Sequence, residues 1–479
     1  MLTYELDRNI FGSYYEHLYR CLKNDIEKGN LKAHEKLPSK RNFAENLGVS
    51  TITVENAYDQ LISEGYVYSV PRRGYFIADI SRSGLTLTAQ RPFSDVGEEE
   101  FSSAAAEDAP ASDLPGSACQ MDLSANAIDP ENFPFTTWKK LLREILSENN
   151  QDLMTRSPGA GIAPLRKAIA RHLLSFRSMK VRPDQIILGA GTEYLYTLLA
   201  QLLGMDKTYC TEDPGYQKLA MIYKSLGISC SYAQMDEYGI TVPSLSMSGA
   251  DIVHICPTHH FPTGITMPIG RRYELLAWAN EKDARYIIED DYDSEFRLRG
   301  RPIPAMQSID LSGRVIYMNT FSMSLTPTIR ISYMVLPPDL AAKFYREMNF
   351  YSCTVSNFEQ YTLARFIDEG DFEKHINRMR RFYAKRRDQV IDLIGASRLK
   401  GACRIIEKDA GMHFILHLDT KKDDRELTDD LARKGLSLKA LSQFYMDKSS
   451  AASHDFILSY SCLDMERLPG ALELIAGSL

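Results

Sequence analysis

Apolar positions recur at helical spacing along the first eighty residues. Leu18, Leu22 and Ile26 line one face of a predicted helix, and Gly29 fits its stop. Ser39 is placed to cap a short helix running to Leu47, with Gly48 ending it. Ser50 is placed to cap a second helix, Thr51 to Ser63, whose apolar face is Val54, Ala57, Tyr58 and Leu61. Two short helices joined by a glycine-containing turn predict a helix-turn-helix. Residues 66–70 and 75–77 then read as two strands, with Pro71, Arg72, Arg73 and Gly74 as the turn between them. From 81 to 117 the periodicity dissolves into Ser, Ala, Asp, Glu, Pro and Gly, the composition of a flexible linker. Beyond 118, strand-like runs such as 185–188, 252–255, 286–288 and 331–336 alternate with helical stretches. That alternation predicts an α/β region with a mainly parallel sheet covered by helices. The expected organisation is a small head (1–80), a linker (81–117) and a large body (118–479).

Composition narrows the function classes. The formal net charge is −7, and residues 1–79 hold ten Lys and Arg against eleven Asp and Glu. Such a surface does not bind nucleic acid indiscriminately, although a local basic face remains compatible with it. The eight cysteines are scattered with no C-x-x-C pair, which predicts free thiols in a reducing compartment. His259 and His260 are adjacent, a poor spacing for metal ligands, so no metal site is expected. No basic segment precedes an apolar core at the start, and no apolar run is long enough for a bilayer. The expectation is a cytoplasmic protein without a membrane partner.

The stretch from Leu37 to Gly65 reads L-P-S-x-R-x-x-A-x-x-L-G-V-S-x-x-T-V-x-x-A-Y-x-x-L-x-x-E-G. It resembles the winged helix of the GntR regulators. The resemblance implies that the second helix enters the major groove of operator DNA while the wing reaches the neighbouring minor groove. By position, Ser39, Lys40 and Arg41 would meet phosphate or base. Thr51, Thr53 and Asn56 would form the reading face, and Arg72, Arg73 and Gly74 the wing tip. Thr51 stands where many relatives carry arginine.

The body carries an ordered set of short motifs. They include Leu188-Gly189-Ala190-Gly191-Thr192-Glu193, Glu212-Asp213-Pro214-Gly215-Tyr216, the run 257–264, Glu289-Asp290-Asp291-Tyr292, and Thr320-Phe321-Ser322-Met323 followed by Arg330. With the head, these resemble the MocR subfamily of GntR regulators, whose C-terminal half is similar to fold-type I aminotransferases. The resemblance implies a pyridoxal phosphate pocket. Gly191, Thr192, Thr320, Ser322 and Arg330 would hold the phosphate. Asp290 would face the pyridine nitrogen, Tyr292 the ring hydroxyl and Tyr216 the ring face. Three departures qualify it. Met323 stands where the family has its Schiff-base lysine, and no lysine occurs between Lys282 and Lys343. Ile457 replaces the arginine that clamps a substrate carboxylate, and Thr155 replaces a tyrosine. Met323 has no amine to form a covalent link or shuttle a proton. Either a natural regulator dropped that chemistry or the residue was replaced on purpose. The expectation is a homodimeric, catalytically inactive regulator that senses a pyridoxal-phosphate-related or amino-acid effector without covalent attachment. The alternative is an aminotransferase with a DNA-binding appendage.

Overall fold

A computed structural model describes residues 4, 13–80, 121–125, 128–148, 150–298, 302–406, 411–447, 451 and 453–479. The linker assigned to 81–117 lies outside them.

The head forms as its pattern predicts. Helix α1 (Tyr14–Glu27) buries Leu18, Leu22 and Ile26. Helix α2 (Lys40–Leu47) starts at Ser39, whose hydroxyl accepts from Asn42 N, and stops at Gly48, which takes the left-handed conformation that glycine tolerates best. Helix α3 (Thr51–Ser63) starts at Ser50, which accepts from Thr53 N. Strands β1 (Val67–Val70) and β2 (Gly74–Ile77) pair antiparallel as the wing.

The body is built on an eight-stranded sheet. Its strands are β3 (Ile186–Gly189), β4 (Thr208–Asp213), β5 (Ser229–Asp236), β6 (Gly239–Ile240), β7 (Ile252–Ile255), β8 (Tyr286–Asp290), β9 (Val315–Thr320) and β10 (Ser332–Val335). They lie in the order β3-β10-β9-β8-β7-β4-β5-β6. The five strands from β9 to β5 run parallel, and β10 runs antiparallel to both its neighbours. Strands β3, β7, β9 and β10 are buried along their length, as a sheet covered on both faces requires. A smaller sheet holds β11 (Cys403–Ile406), β12 (His413–Leu418), β13 (Lys439–Ala440) and β14 (Asp455–Ser459) in the order β11-β12-β14-β13. Its core includes Phe414, Leu416, Phe456 and Leu458, with Tyr383 and Val390 of a 26-residue helix, Asp371–Ala396. No described helix is long and apolar enough to cross a membrane.

Head and body share one apolar cluster. Leu22, Val54, Leu61 and Tyr66 of the head belong to the same core as Met267, Ile269, Tyr273 and Trp278 of the body.

In the basic run of the long helix, Arg378, Arg381 and Lys385 are exposed, while Arg380 donates to Glu295 O at 2.6 Å, Arg386 pairs with Asp129 at 3.5 Å, and Arg387 is buried. Asp291 is buried. It accepts from Tyr317 Oη at 2.5 Å and pairs with buried Arg177 at 2.9 Å.

Candidate functional site

Parallel strands deliver their carboxyl ends to one edge of the sheet, and ligands of open α/β sheets bind there. Gly191 follows β3, Tyr216 follows β4, Asp290 ends β8 and Thr320 ends β9. Because β10 runs the other way, its start brings Arg330 to the same edge. All eight predicted pocket residues therefore belong to one rim of the sheet, although 139 positions separate Gly191 from Arg330.

Helix α4 (Thr192–Leu203) opens at this edge with Gly191 as its N-cap at φ +96°. A Cβ at Gly191 would collide with the guanidinium of Arg330, so glycine is the residue that lets that cation lie over the helix start. Arg330 itself holds a left-handed backbone at φ +48°, a conformation that costs a non-glycine residue roughly 1 kcal/mol. Its Nη2 lies 3.5 Å from Ala190 O and 3.7 Å from Glu193. Glu193 also pairs with Lys218, and that hydrogen bond holds its carboxyl below the usual range. Thr320 Oγ1 donates to Ser322 Oγ at 3.0 Å and accepts from Ser322 N at 3.1 Å and from Ser332 Oγ at 2.8 Å. A helix start, hydroxyls and a cation on one rim form the donor set that a phosphate monoester calls for.

The deeper end is acidic. Asp290 Oδ2 accepts from Tyr196 Oη at 2.6 Å and lies 3.4 Å from His254 Nε2, whose ring meets Tyr223 Oη at 2.7 Å through Nδ1. The other oxygen, Asp290 Oδ1, is buried without a partner. A buried, unpaired carboxylate oxygen costs free energy until a donor meets it. Burial and the Asp290 charge raise the Tyr196 phenol well above its ordinary range, so it stays a donor. Sequence reasoning missed Tyr196 and His254. Tyr196 lies one helical turn after Thr192, and His254 lies at the carboxyl end of β7, so spacing held a signal for each.

Tyr292 is at the same edge, with its phenol oxygen 3.2 Å from His259 Nδ1. That nitrogen also meets Asp293 at 2.8 Å. Tyr216 is 46% exposed and touches Phe261 edge-on at 6.1 Å. Phe261 meets Phe444 and His413, each at 5.5 Å. Asp213 carries the segment around Phe444, accepting from Met446 N at 2.7 Å and Asp447 N at 3.0 Å. Met323 is half-buried and packs against the core of the smaller sheet. Ile457 is buried in β14, opposite Ile415.

In the head, Arg41, Thr51, Asn56, Arg72 and Arg73 are exposed. Ser39 spends its hydroxyl on the α2 cap, and Thr53 Oγ1 lies 2.8 Å from Ser50 Oγ. Lys40 is not a free cation. It pairs with Glu55 at 2.9 Å and Asp59 at 3.3 Å and lies over the Tyr75 ring at 5.3 Å. Burial opposes its charge, but Glu55, Tyr75 and Asp59 outweigh that and raise its pKa. Lys40 thus ties α2 to α3 and the wing. Ile52, which sequence reasoning passed over, is 65% exposed on α3. Gly74 begins β2 at φ +109°, and a cleft between wing and α2 is lined by Lys36, Ser39, Arg72, Arg73 and Gly74.

Comparison with known proteins agrees with this architecture. Residues 14–77 match the family model of bacterial regulatory proteins of the gntR family, and residues 118–475 match aminotransferase class I and II. The HTH-type transcriptional regulator YdeL of Bacillus subtilis (strain 168) is 34% identical over 93% of this chain and 92% of its own. The probable rhizopine catabolism regulatory protein MocR of Rhizobium meliloti is 33% identical over 96% of this chain and 92% of its own. The multiple substrate aminotransferase of Thermococcus profundus superposes with a TM-score of 0.65 at 25% identity, over 76% of this chain and 92% of its own. A gntR-type winged helix joined to an aminotransferase-like body, matched end to end by regulators of the same build, places this chain in the MocR subfamily of GntR transcriptional regulators.

Proposed function

We propose that the pocket at the sheet edge receives a pyridoxal-phosphate-type effector without covalent attachment, and that its occupancy sets how the head engages operator DNA. The unpaired buried oxygen of Asp290 carries this reading, because it awaits a donor where a protonated pyridine nitrogen would sit. The cradle at Gly191 fits the same ligand, since the cation of Arg330 occupies the space that a Cβ would fill. Pyridoxal phosphate, when bound, supplies an anionic phosphate, an aromatic ring and an aldehyde. Gly191, Thr192, Thr320, Ser322 and Arg330 hold the phosphate end. Tyr216 covers the ring, and Tyr292 stands beside His259 near the ring hydroxyl.

Met323 supplies neither an amine nor a proton shuttle, so the body binds and does not transaminate. Pyridoxamine phosphate and a preformed adduct with an amino acid fit the same donors. On the DNA side, Arg41, Arg72 and Arg73 neutralise phosphates, while Thr51 and Asn56 face base edges. Ser39, Thr53 and Gly74 shape the surface that presents them. A homodimer pairs two such heads with two half-sites.

The test is equilibrium dialysis of the full chain against pyridoxal phosphate, followed by borohydride. Binding should occur, fall at least tenfold in Asp290→Asn and Arg330→Ala, and remain dialysable after reduction. Ligand fixed to the unmodified chain by borohydride, or binding indifferent to both substitutions, would sink the reading.

A further inference from the structure

The residues between β7 and the next helix form a closed hairpin that touches both the pocket and the head. Its two legs are tied together. Met267 N donates to Pro257 O at 2.9 Å, Thr266 Oγ1 to Thr258 O at 3.0 Å, and His260 N to Ile265 O at 2.9 Å. Gly264 N closes the turn on His260 O at 2.7 Å. At the tip, Phe261 contacts Tyr216 and His259 contacts Tyr292, so it meets both aromatic residues assigned to the effector ring.

The base is clamped by one side chain. Arg272, only 2% exposed, donates to Met267 O at 3.0 Å, Pro257 O at 3.2 Å and Pro304 O at 2.8 Å. A planar guanidinium bonded to both legs at once resists their shearing. Pro268 and Ile269 follow directly and form the seat of the head. Ile269 N donates to Glu64 O at 3.1 Å, and a Cβ on Gly65 would come within 2.6 Å of Pro268 Cβ. Glu64 is the C-cap of α3, the helix assigned to read DNA. Its buried carboxylate accepts from Tyr19 at 2.7 Å, Lys23 at 2.9 Å and Gln60 at 2.6 Å, which fixes that end of α3 to α1.

We propose that the hairpin 257–268 is the lever of this regulator. Its tip follows the occupant of the pocket, and its base sets the angle of α3 through the contact of Pro268 and Ile269 with Glu64 and Gly65. The lever takes its input from the effector reading given above. An effector moves it only by binding two hairpin positions unequally. By linkage, DNA on the head then changes affinity in the pocket by the same factor.

Hydrogen–deuterium exchange of the full chain tests the lever in two arms. The first uses no ligand. Phe261→Ala, at the half-buried tip, should speed exchange in 257–268 and, by about three-fold, in 60–70, while helix Leu468–Ala476 keeps its rate. Thr266→Val, which unties one rung without changing shape, should do the same to a smaller degree. No change at 60–70 in either variant, or an equal change in Leu468–Ala476, overturns the lever. The second arm adds pyridoxal phosphate to the unmodified chain, which should slow 257–268 and 60–70 together. Protection confined to the pocket overturns the lever. No protection at 320–330 removes the effector reading and leaves the first arm to decide the lever.

Discussion

On the reading proposed above, Met323 is the one side chain that separates binding from chemistry. The residues proposed to hold a phosphorylated pyridine lie at the same sheet edge, while the thioether of Met323 packs against the core of the smaller sheet and offers no amine. The Met323→Lys variant should therefore acquire a visible absorption band with pyridoxal phosphate, fixed by borohydride, that the unmodified chain lacks. Absence of the band in the variant would mean that position 323 does not face the pocket. His375 tests the packing behind this loop, since its Nε2 bonds Ser324 O at 2.8 Å and the residue is buried. Burial, with the Arg378 charge adding to it, lowers its pKa to about 4, although the bond to Ser324 works the other way. An unfolded histidine titrates near pH 6.5, so between the two values the unfolded chain holds more protons. Stability contributed by His375 is then complete above pH 6.5 and is lost as pH falls toward 4. Relative to His375→Gln, which takes up no proton, the unmodified chain should lose about 2 kcal/mol more stability between pH 7 and 5. Denaturant melts of both proteins at the two pH values would show it, and an unchanging gap would refute it.

At the scale of elements, α2, α3 and the wing were legible because caps and stops are local. Ser39, Gly48, Ser50 and Gly65 act within a few residues of themselves, so their pattern fixes the boundaries. The common placement of the candidate site residues was legible for a different reason, since they sit just after strands and strand ends meet at one edge. What stayed hidden depends on contacts between elements. The partners of Asp290 come from α4 and β7, and nothing local at Asp290 announces them. Lys40 looked like a phosphate ligand because its targets, Glu55 and Asp59, lie a helix away. This difference predicts two separable phenotypes. Arg72→Ala or Arg73→Ala should weaken DNA binding and reduce the slope of log affinity against log salt by about 1 each. Lys40→Met should leave that slope unchanged and lower the stability of the head by about 1 kcal/mol or less, the range of partly exposed ion pairs. A salt slope altered by Lys40→Met would return that lysine to the DNA interface.

At the scale of the molecule, the shared core predicts that head and body behave as one thermodynamic unit. Small winged helices stand on few apolar contacts, and here part of their cluster is furnished by the helix Ile269–Asn280 of the body. The two parts should therefore melt together, as one calorimetric transition whose enthalpy matches its steepness. Ile269 is the place to cut the coupling, because it is buried and its backbone N–H joins the head. An arginine there would put a cation at a helix start, where the dipole disfavours it, inside an apolar cluster. Ile269→Arg should split the transition, with the head melting first and the body keeping most of its enthalpy. The pocket should then still bind pyridoxal phosphate, while DNA affinity ceases to respond to it. If the unmodified chain already melts in two steps, the head rests on the body without being held by it, and the lever has nothing to push against.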